Sequence, residues 1–482
     1  MVFSSPIFLF GFLPILLLIY YGSPKQLKNS VLLFASLLFY AWGEVFYILV
    51  MLISIAINYV LGRAIYRSQE TDNHNLSRAS IVIAIAANLL LLISFKYANF
   101  LADNINQVLS LVDIPKIELQ PIHLPLGISF FTFQAISYIV DIYRKKIPAQ
   151  KNIFHLALYI SLFPQLIAGP IVRYVDISKQ IINRSHSVEL FSSGAHRFIT
   201  GLAKKMLIAN PLGEVADAAF SLSGNELTTP VAWIGIIAYS LQIFFDFSGY
   251  SDMAIGLGRM LGFRFLENFN LPYIARSVRE FWRRWHISLS TWFRDYVYIP
   301  LGGNRASTPR VAFNLVTVFL LTGIWHGASW NFIVWGLFHG FFLACEHFGF
   351  SRILDRLWRP LQHVYLLLIV TLGWVFFRSE NLAQSQDYLA AMFGLGNINA
   401  LSIHPLEILT NEALIALFLG VILSTPLLGK IKTFFSEKPS AHSLPGIYTA
   451  GVLNICSLIF ISYLCAIKIA SSTYNPFIYF RF

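Results

Sequence analysis

Uncharged stretches long enough to cross a lipid bilayer recur from one end of this 482-residue chain to the other. Hydrocarbon about 30 Å thick needs roughly 20 apolar residues per helix. Runs of that order occupy 1–24, 45–62, 79–95, 119–140, 152–172, 227–245, 311–345, 360–377, 413–429 and 439–467. The 311–345 run is long enough for two legs, and 29–43 and 206–222 are shorter candidates. The pattern predicts an all-α polytopic membrane protein of roughly 11 to 13 crossings or half-crossings. The first run lacks the basic start and small-residue cleavage site of a signal peptide, so it is expected to remain as a membrane helix opening at Ser5-Pro6. The polar intervals 98–118 and 378–412 are too short for cores of their own. Residues 1–482 are therefore expected to form a single membrane domain.

Composition agrees with this pattern: 56% of residues are hydrophobic and 12% charged, about half the roughly 25% charge of an average soluble domain. The net charge of +11 would suit nucleic acid in a soluble protein. Here the basic residues cluster in short loops between apolar runs, as the positive-inside bias demands, which excludes a nucleic-acid partner. Lys25 and Lys28, then Arg63, Arg67 and Arg78, then Arg144 to Lys146 mark successive cytoplasmic loops and put the N-terminus outside. The basic 173–205 segment breaks that alternation. A re-entrant 152–172 segment, interrupted by Pro164 and Gly169-Pro170, restores it, and broken backbone at membrane depth belongs where protein or water surrounds it.

Within the charge-free run from Val311 to Cys345 stands Trp325-His326-Gly327. An imidazole in hydrocarbon is costly and faces a cavity, partner or substrate, so His326 is the first functional candidate. The second region is Arg276 to Arg310, with seven arginines against two acids interleaved with Phe281, Trp282, Trp285, Trp292 and Phe293. At helical spacing Arg279, Arg283, His286 and Ser290 share a face and Phe281, Trp285, Ser288 and Trp292 another, which predicts an amphipathic helix on the membrane surface. Such a helix serves as an interfacial anchor or offers guanidinium groups, Arg283 and Arg294 among them, to the phosphates of a cytosolic donor. Asp246 follows fifteen uncharged residues from Val231; it binds a sugar hydroxyl or positions a histidine, or else pairs with a nearby Arg and holds helices together. His339 and His347 are read as inter-helix hydrogen-bonding or boundary histidines, and Asn331 and Trp330 are close enough in sequence to shape the His326 site. The Gly258/Gly262, Gly323/Gly327 and Gly336/Gly340 spacings suit close helix packing, the second pair giving a neighbouring helix or a thin acyl arm access to His326. The three cysteines are read as small buried hydrophobes, and no metal-ligand spacing appears.

The run from Phe281 to Gly303 (FWRRWHISLSTWFRDYVYIPLGG) resembles the membrane-bound O-acyltransferase family, and Trp325-His326-Gly327 resembles that family's histidine motif. The 125–131 run (PLGISFF), 163–170 (FPQLIAGP), 246–252 (DFSGYSD) and the terminal Pro476 to Phe480 also look like members of its polysaccharide O-acetylation branch, that of alginate, in the expected order. The same blocks partly resemble the sister branch that D-alanylates teichoic acid. The resemblance implies a ring of about 11 transmembrane helices around a central funnel, with His326 catalytic and His286 its companion. It implies an acyltransferase with no bound cofactor, moving acetyl from a cytoplasmic thioester, acetyl-CoA, onto an exported polysaccharide with a periplasmic O-acetyltransferase or relay partner. The expected location is the bacterial inner membrane. His326 is the expected general base, and His286 orients the donor or stabilises the oxyanion. Peptidoglycan and cellulose are alternative acceptors, and a polymer or solute transporter is the rival class.

Overall fold

The computed structural model describes residues 1–222, 226–395, 404–436 and 444–476. Of the terminal Pro476 to Phe480 motif only Pro476 lies within them. Every regular element among the described residues is helical. Seven of these helices are long and apolar enough to cross a membrane: Ile48–Glu70, His74–Lys96, Thr229–Met260, Thr308–His326, Trp330–Leu354, Arg359–Arg378 and Gly451–Ser471. Ile7–Gly22, Lys28–Ala41, Ile128–Tyr143 and Asn411–Leu423 are shorter apolar helices. The chain is a multi-pass, all-α membrane protein, and it separates into two compact units, Met1–Ser192 with Leu257–Leu266, and Ser193–Gly256 with Glu267–Phe482.

In the first unit the helix after Pro6 begins where expected, Ser5 Oγ accepting the Phe8 N–H at 3.3 Å. Ile48–Glu70 and His74–Lys96 are tied at depth by two amides. Asn58 and Asn88, both buried, exchange hydrogen bonds of 3.0 and 2.8 Å, the kind of polar link that replaces hydrophobic force between membrane helices. The 152–172 region is broken as its Pro and Gly content predicts. A nine-residue helix, Ile153–Ser161, gives way at Leu162 to the single turn Phe163–Leu166 and then irregular chain, buried throughout 156–172. Gly127, at φ +74°, lets Ile128–Tyr143 start against that chain: a Cβ there would lie 2.5 Å from the Leu166 carbonyl oxygen.

The second unit is organised around an aromatic core. Trp335 and Trp374 are fully buried and pack with Phe281, Trp282 and Trp285. Two helices meet backbone to backbone through glycines at seven-residue spacing. Cβ atoms on Gly201 and Gly249 would fall 2.5 and 2.7 Å from each other's carbonyl oxygens, and one on Gly256 would fall 2.6 Å from that of Gly194. Antiparallel Val188–Ala203 and Thr229–Met260 are thereby held at a separation no larger residue permits.

The Arg276 to Arg310 run is not the single amphipathic helix its spacing predicts. Val278–Arg284 stops at Trp285, His286 takes φ +43°, and Ile287–Phe293 starts afresh. Arg279, Arg283, His286 and Ser290 therefore share no helix face. The aromatic residues do not serve as a headgroup anchor either: Phe281, Trp282, Trp285 and Trp292 are buried. Periodicity distinguishes apolar from polar positions and cannot say whether the apolar stripe meets lipid or protein. Of the three cysteines only Cys465 is buried, Cys456 being exposed and Cys345 intermediate.

Candidate active site

The charge-free run folds as the two-legged hairpin its length predicts. Thr308–His326 descends, Gly327 turns in extended conformation, and Ser329 caps the return helix Trp330–Cys345 by accepting the Asn331 N–H at 3.3 Å. Its glycines bring the legs into backbone contact, as their spacing foretold. Cβ atoms on Gly323 and Gly336 would lie 2.2 and 2.4 Å from the carbonyl oxygens of Phe332 and Phe319, and one on Gly327 would fall 2.3 Å from the Phe332 ring. The space at these glycines is thus taken by the neighbouring leg, one of the two occupants their spacing allows. His326 is the last residue of the first leg and 6% exposed. Its ring meets Trp325, Trp335 and Phe377 edge-on at centroid distances of 5.0, 5.1 and 5.0 Å.

His286 reaches the same neighbourhood from a different element. Its left-handed backbone is uncommon for a residue with a side chain and is held by the chain at 268–270. Ile287 N–H donates to the Asn268 carbonyl at 2.9 Å, and Asn270 N–H to that of Arg284 at 2.9 Å. The side chain of Asn268, itself buried, then grips His286 Nδ1 at 3.1 Å. The imidazole is 1% exposed, lies edge-on to Phe247 at 4.6 Å and meets Trp325 at 6.2 Å. Burial pushes its pKa down to about 3, because desolvation disfavours the cation. Trp325 touches both candidate histidines, while no ring contact joins them directly among the described residues.

A cavity of about 330 Å³ opens beside Asn268, bounded by Arg197, Lys204, Ser251, Asp252 and Phe269 among others. Arg197 pairs with Asp252 at 2.7 Å and with Glu267, and Lys204 takes the second Asp252 oxygen at 2.6 Å. Two cations are thus matched by two anions, Asp252 on the cavity wall and Glu267 beside it. The remaining candidates are dispersed. Asp246 is paired with Lys205 at 2.8 Å, the side chains 2% and 3% exposed, so its cation is a lysine and not the arginine expected. Arg283 is exposed, and Arg294 is exposed and paired with its neighbour Asp295 at 2.7 Å. Asn331 is buried and donates to the Ser379 carbonyl at 2.8 Å, tying the hairpin to the end of Arg359–Arg378. His339 makes no inter-helix hydrogen bond among the described residues. Both its nitrogens lack such partners and the ring packs edge-on against Trp282 and Trp335 at 5.1 Å.

Residues 144–356, which hold the cavity wall and both candidate histidines, match the family model described as MBOAT, membrane-bound O-acyltransferase family. The chain is 40% identical to the probable alginate O-acetylase of Azotobacter vinelandii, covering 100% of both chains. The chain belongs to the membrane-bound O-acyltransferase family. It is also similar to the probable alginate O-acetylase of Pseudomonas aeruginosa, 46% identical over 82% of this chain and 75% of that one. The peptidoglycan O-acetyltransferase of Helicobacter pylori is 36% identical over 83% and 81%.

This O-acyltransferase thus gathers His326, His286 and Asn268 from three separate stretches of sequence. Asn268 and Lys205 escape sequence reasoning altogether. Asn268 lies in a short loop without periodicity, and Lys205 reads as one more cytoplasmic-side cation. The only local clue to Asn268 is its company, a polar loop residue between Leu266 and Phe269.

Proposed function

We propose that this acyltransferase moves acetyl from a cytoplasmic thioester, acetyl-CoA, to a hydroxyl destined for an exported polysaccharide, alginate. The full-length similarity to a probable alginate O-acetylase carries the reading. The chemistry available at the hairpin agrees with it. A hydroxyl oxygen attacks the thioester carbonyl carbon, His326 takes the hydroxyl proton as general base, and collapse of the tetrahedral intermediate breaks the C–S bond. The proton on His326 then passes to the departing thiolate. Rings of Trp325, Trp335 and Phe377 around His326 exclude water that would otherwise hydrolyse the thioester. In the cell the protein works in the bacterial inner membrane with a periplasmic O-acetyltransferase or acetyl-relay partner that completes modification of the polymer. A peptidoglycan acceptor is the second reading, favoured by the Helicobacter pylori relative.

The test is transfer of labelled acetyl from acetyl-CoA by purified protein in lipid, alongside the acetyl content of polymer from cells carrying each variant. His326→Ala and His326→Gln should abolish both at unchanged protein level. Either variant retaining wild-type transfer overturns the assignment, and acetylated peptidoglycan with unmodified alginate would shift the acceptor.

A further inference from the structure

The hydrogen bonds around Asn268 determine which nitrogen of His286 carries the proton. Ser288 backbone N–H can only donate, so the Asn268 side-chain atom it meets at 3.2 Å is the oxygen. That oxygen also takes the Ser288 hydroxyl at 2.8 Å and faces His286 Nδ1 at 3.1 Å. With its one proton spent on Asn268, Ser288 Oγ offers Nδ1 only lone pairs at 3.4 Å. Surrounded by acceptors, Nδ1 must hold the single proton of a neutral imidazole, and Nε2 is left with a lone pair. The amide is locked from its other end by Nδ2, which donates to Ser251 Oγ at 3.0 Å. His286 Nε2 is buried and has no hydrogen-bond partner among the described residues.

We propose that Asn268 is a positioning residue that holds His286 in its Nδ1–H tautomer, so that Nε2 accepts a hydrogen bond from a substrate O–H or N–H and donates none to an oxyanion. The inference rests on the acyl-transfer reading and assigns the second histidine the opposite polarity to an oxyanion hole. Nε2 holds the substrate group while His326 takes the proton. The groups facing the ring are Phe247 from Thr229–Met260, Trp325 from Thr308–His326, Asn268 from its loop and Ser288 from Ile287–Phe293. None is charged or titrates in the working range, so the wild-type ring stays neutral.

Asn268→Asp tests this without dismantling the loop, since a carboxylate still accepts from Ser288 and from Nδ1–H while Ser251 donates its own proton. The new charge favours the imidazolium, and a protonated Nε2 can no longer accept. The His286 ring itself, followed by ¹⁵N-histidine spectra, should therefore show a titration profile about one to three pH units higher than in the wild type. Asn268→Ala, checked for an unchanged melting midpoint, should lower kcat by about tenfold to a hundredfold, and ¹⁵N-histidine spectra should lose the protonated Nδ1 of one residue. An unshifted Asn268→Asp profile, or activity in that variant that rises as pH falls, overturns the inference. Wild-type protein that transfers no acetyl sinks the acyl-transfer reading itself, whereas wild-type transfer with an unshifted Asn268→Asp profile sinks only this proposal.

Discussion

Replacing Lys205 by Met asks what a buried carboxylate does in this protein. The substitution keeps most of the aliphatic stem but removes the ammonium 2.8 Å from Asp246, leaving a carboxylate only 2% exposed beside an apolar group. Breaking a buried pair by deleting one partner costs about 3–5 kcal/mol, mostly the penalty of stranding the other charge. Lys205 also donates to the Pro476 carbonyl, so the same variant loosens the chain at 472–476. Lys205→Met/Asp246→Leu removes both charges and should recover most of the loss, because two apolar groups of similar volume replace a pair whose desolvation roughly offsets its attraction. Thermal unfolding in lipid nanodiscs gives the stability, and labelled acetyl transfer gives the activity. A double variant that is both stable and active marks Asp246 as a helix tie, whereas one that is stable but inactive puts it in contact with substrate. A single variant that melts with the wild type refutes the reasoning.

Two further outcomes follow from packing and burial. Gly323→Ala places a Cβ 2.2 Å from the Phe332 carbonyl oxygen, a collision only a shift of the hairpin legs relieves. Overpacking of this kind costs about 1–3 kcal/mol and displaces His326, so acetyl transfer should fall at least tenfold; unaltered activity and melting would show that the legs are not in backbone contact. His286, with a folded pKa of about 3 against about 6.5 unfolded, binds more protons in the unfolded chain between those values. Its contribution is therefore complete above about pH 6.5 and is lost as pH falls, by at most about 1.4 kcal/mol per pH unit. Wild type should lose more melting temperature between pH 7.5 and 5.5 than His286→Asn, and equal losses would contradict a buried neutral ring.

The hairpin was legible because its determinants are local. The length of the charge-free run sets two legs, and Gly323, Gly327, Gly336 and Gly340 at four-residue spacing set how closely they approach. The break at His286 was illegible for the opposite reason. The residues from 276 to 296 carry a good amphipathic period, and what stops the helix is a loop eighteen positions upstream, whose Asn268 takes the hydrogen bonds that helical backbone would otherwise keep. Asp246 falls between these cases. Burial without a partner is not sustainable for a carboxylate, so a cation was implied, but helical spacing on one segment does not name the residue on another. Phe281, Trp282 and Trp285 expose a further limit, since a stripe of aromatics has the same period whether it meets headgroups or Trp374.

On the proposed reading, environment divides labour between two identical side chains. His326 is packed by the rings of Trp325, Phe332, Trp335 and Phe377 at the end of the hairpin. The proposed acyl transfer asks it to gain and lose a proton within one catalytic cycle. His286 is held by an amide whose orientation a backbone N–H settles, in a turn whose left-handed φ of +43° is itself kept by that same loop. Its protonation is thereby specified by the fold, and a group with specified protonation is suited to holding a substrate and unsuited to shuttling protons. Trp325 touches both rings, so the polar grip that begins at Asn268 on the cavity wall and the aromatic packing that ends at His326 meet on a single indole. On the proposed reading the division of roles follows from which neighbours the chain supplies, not from which motif contains the histidine.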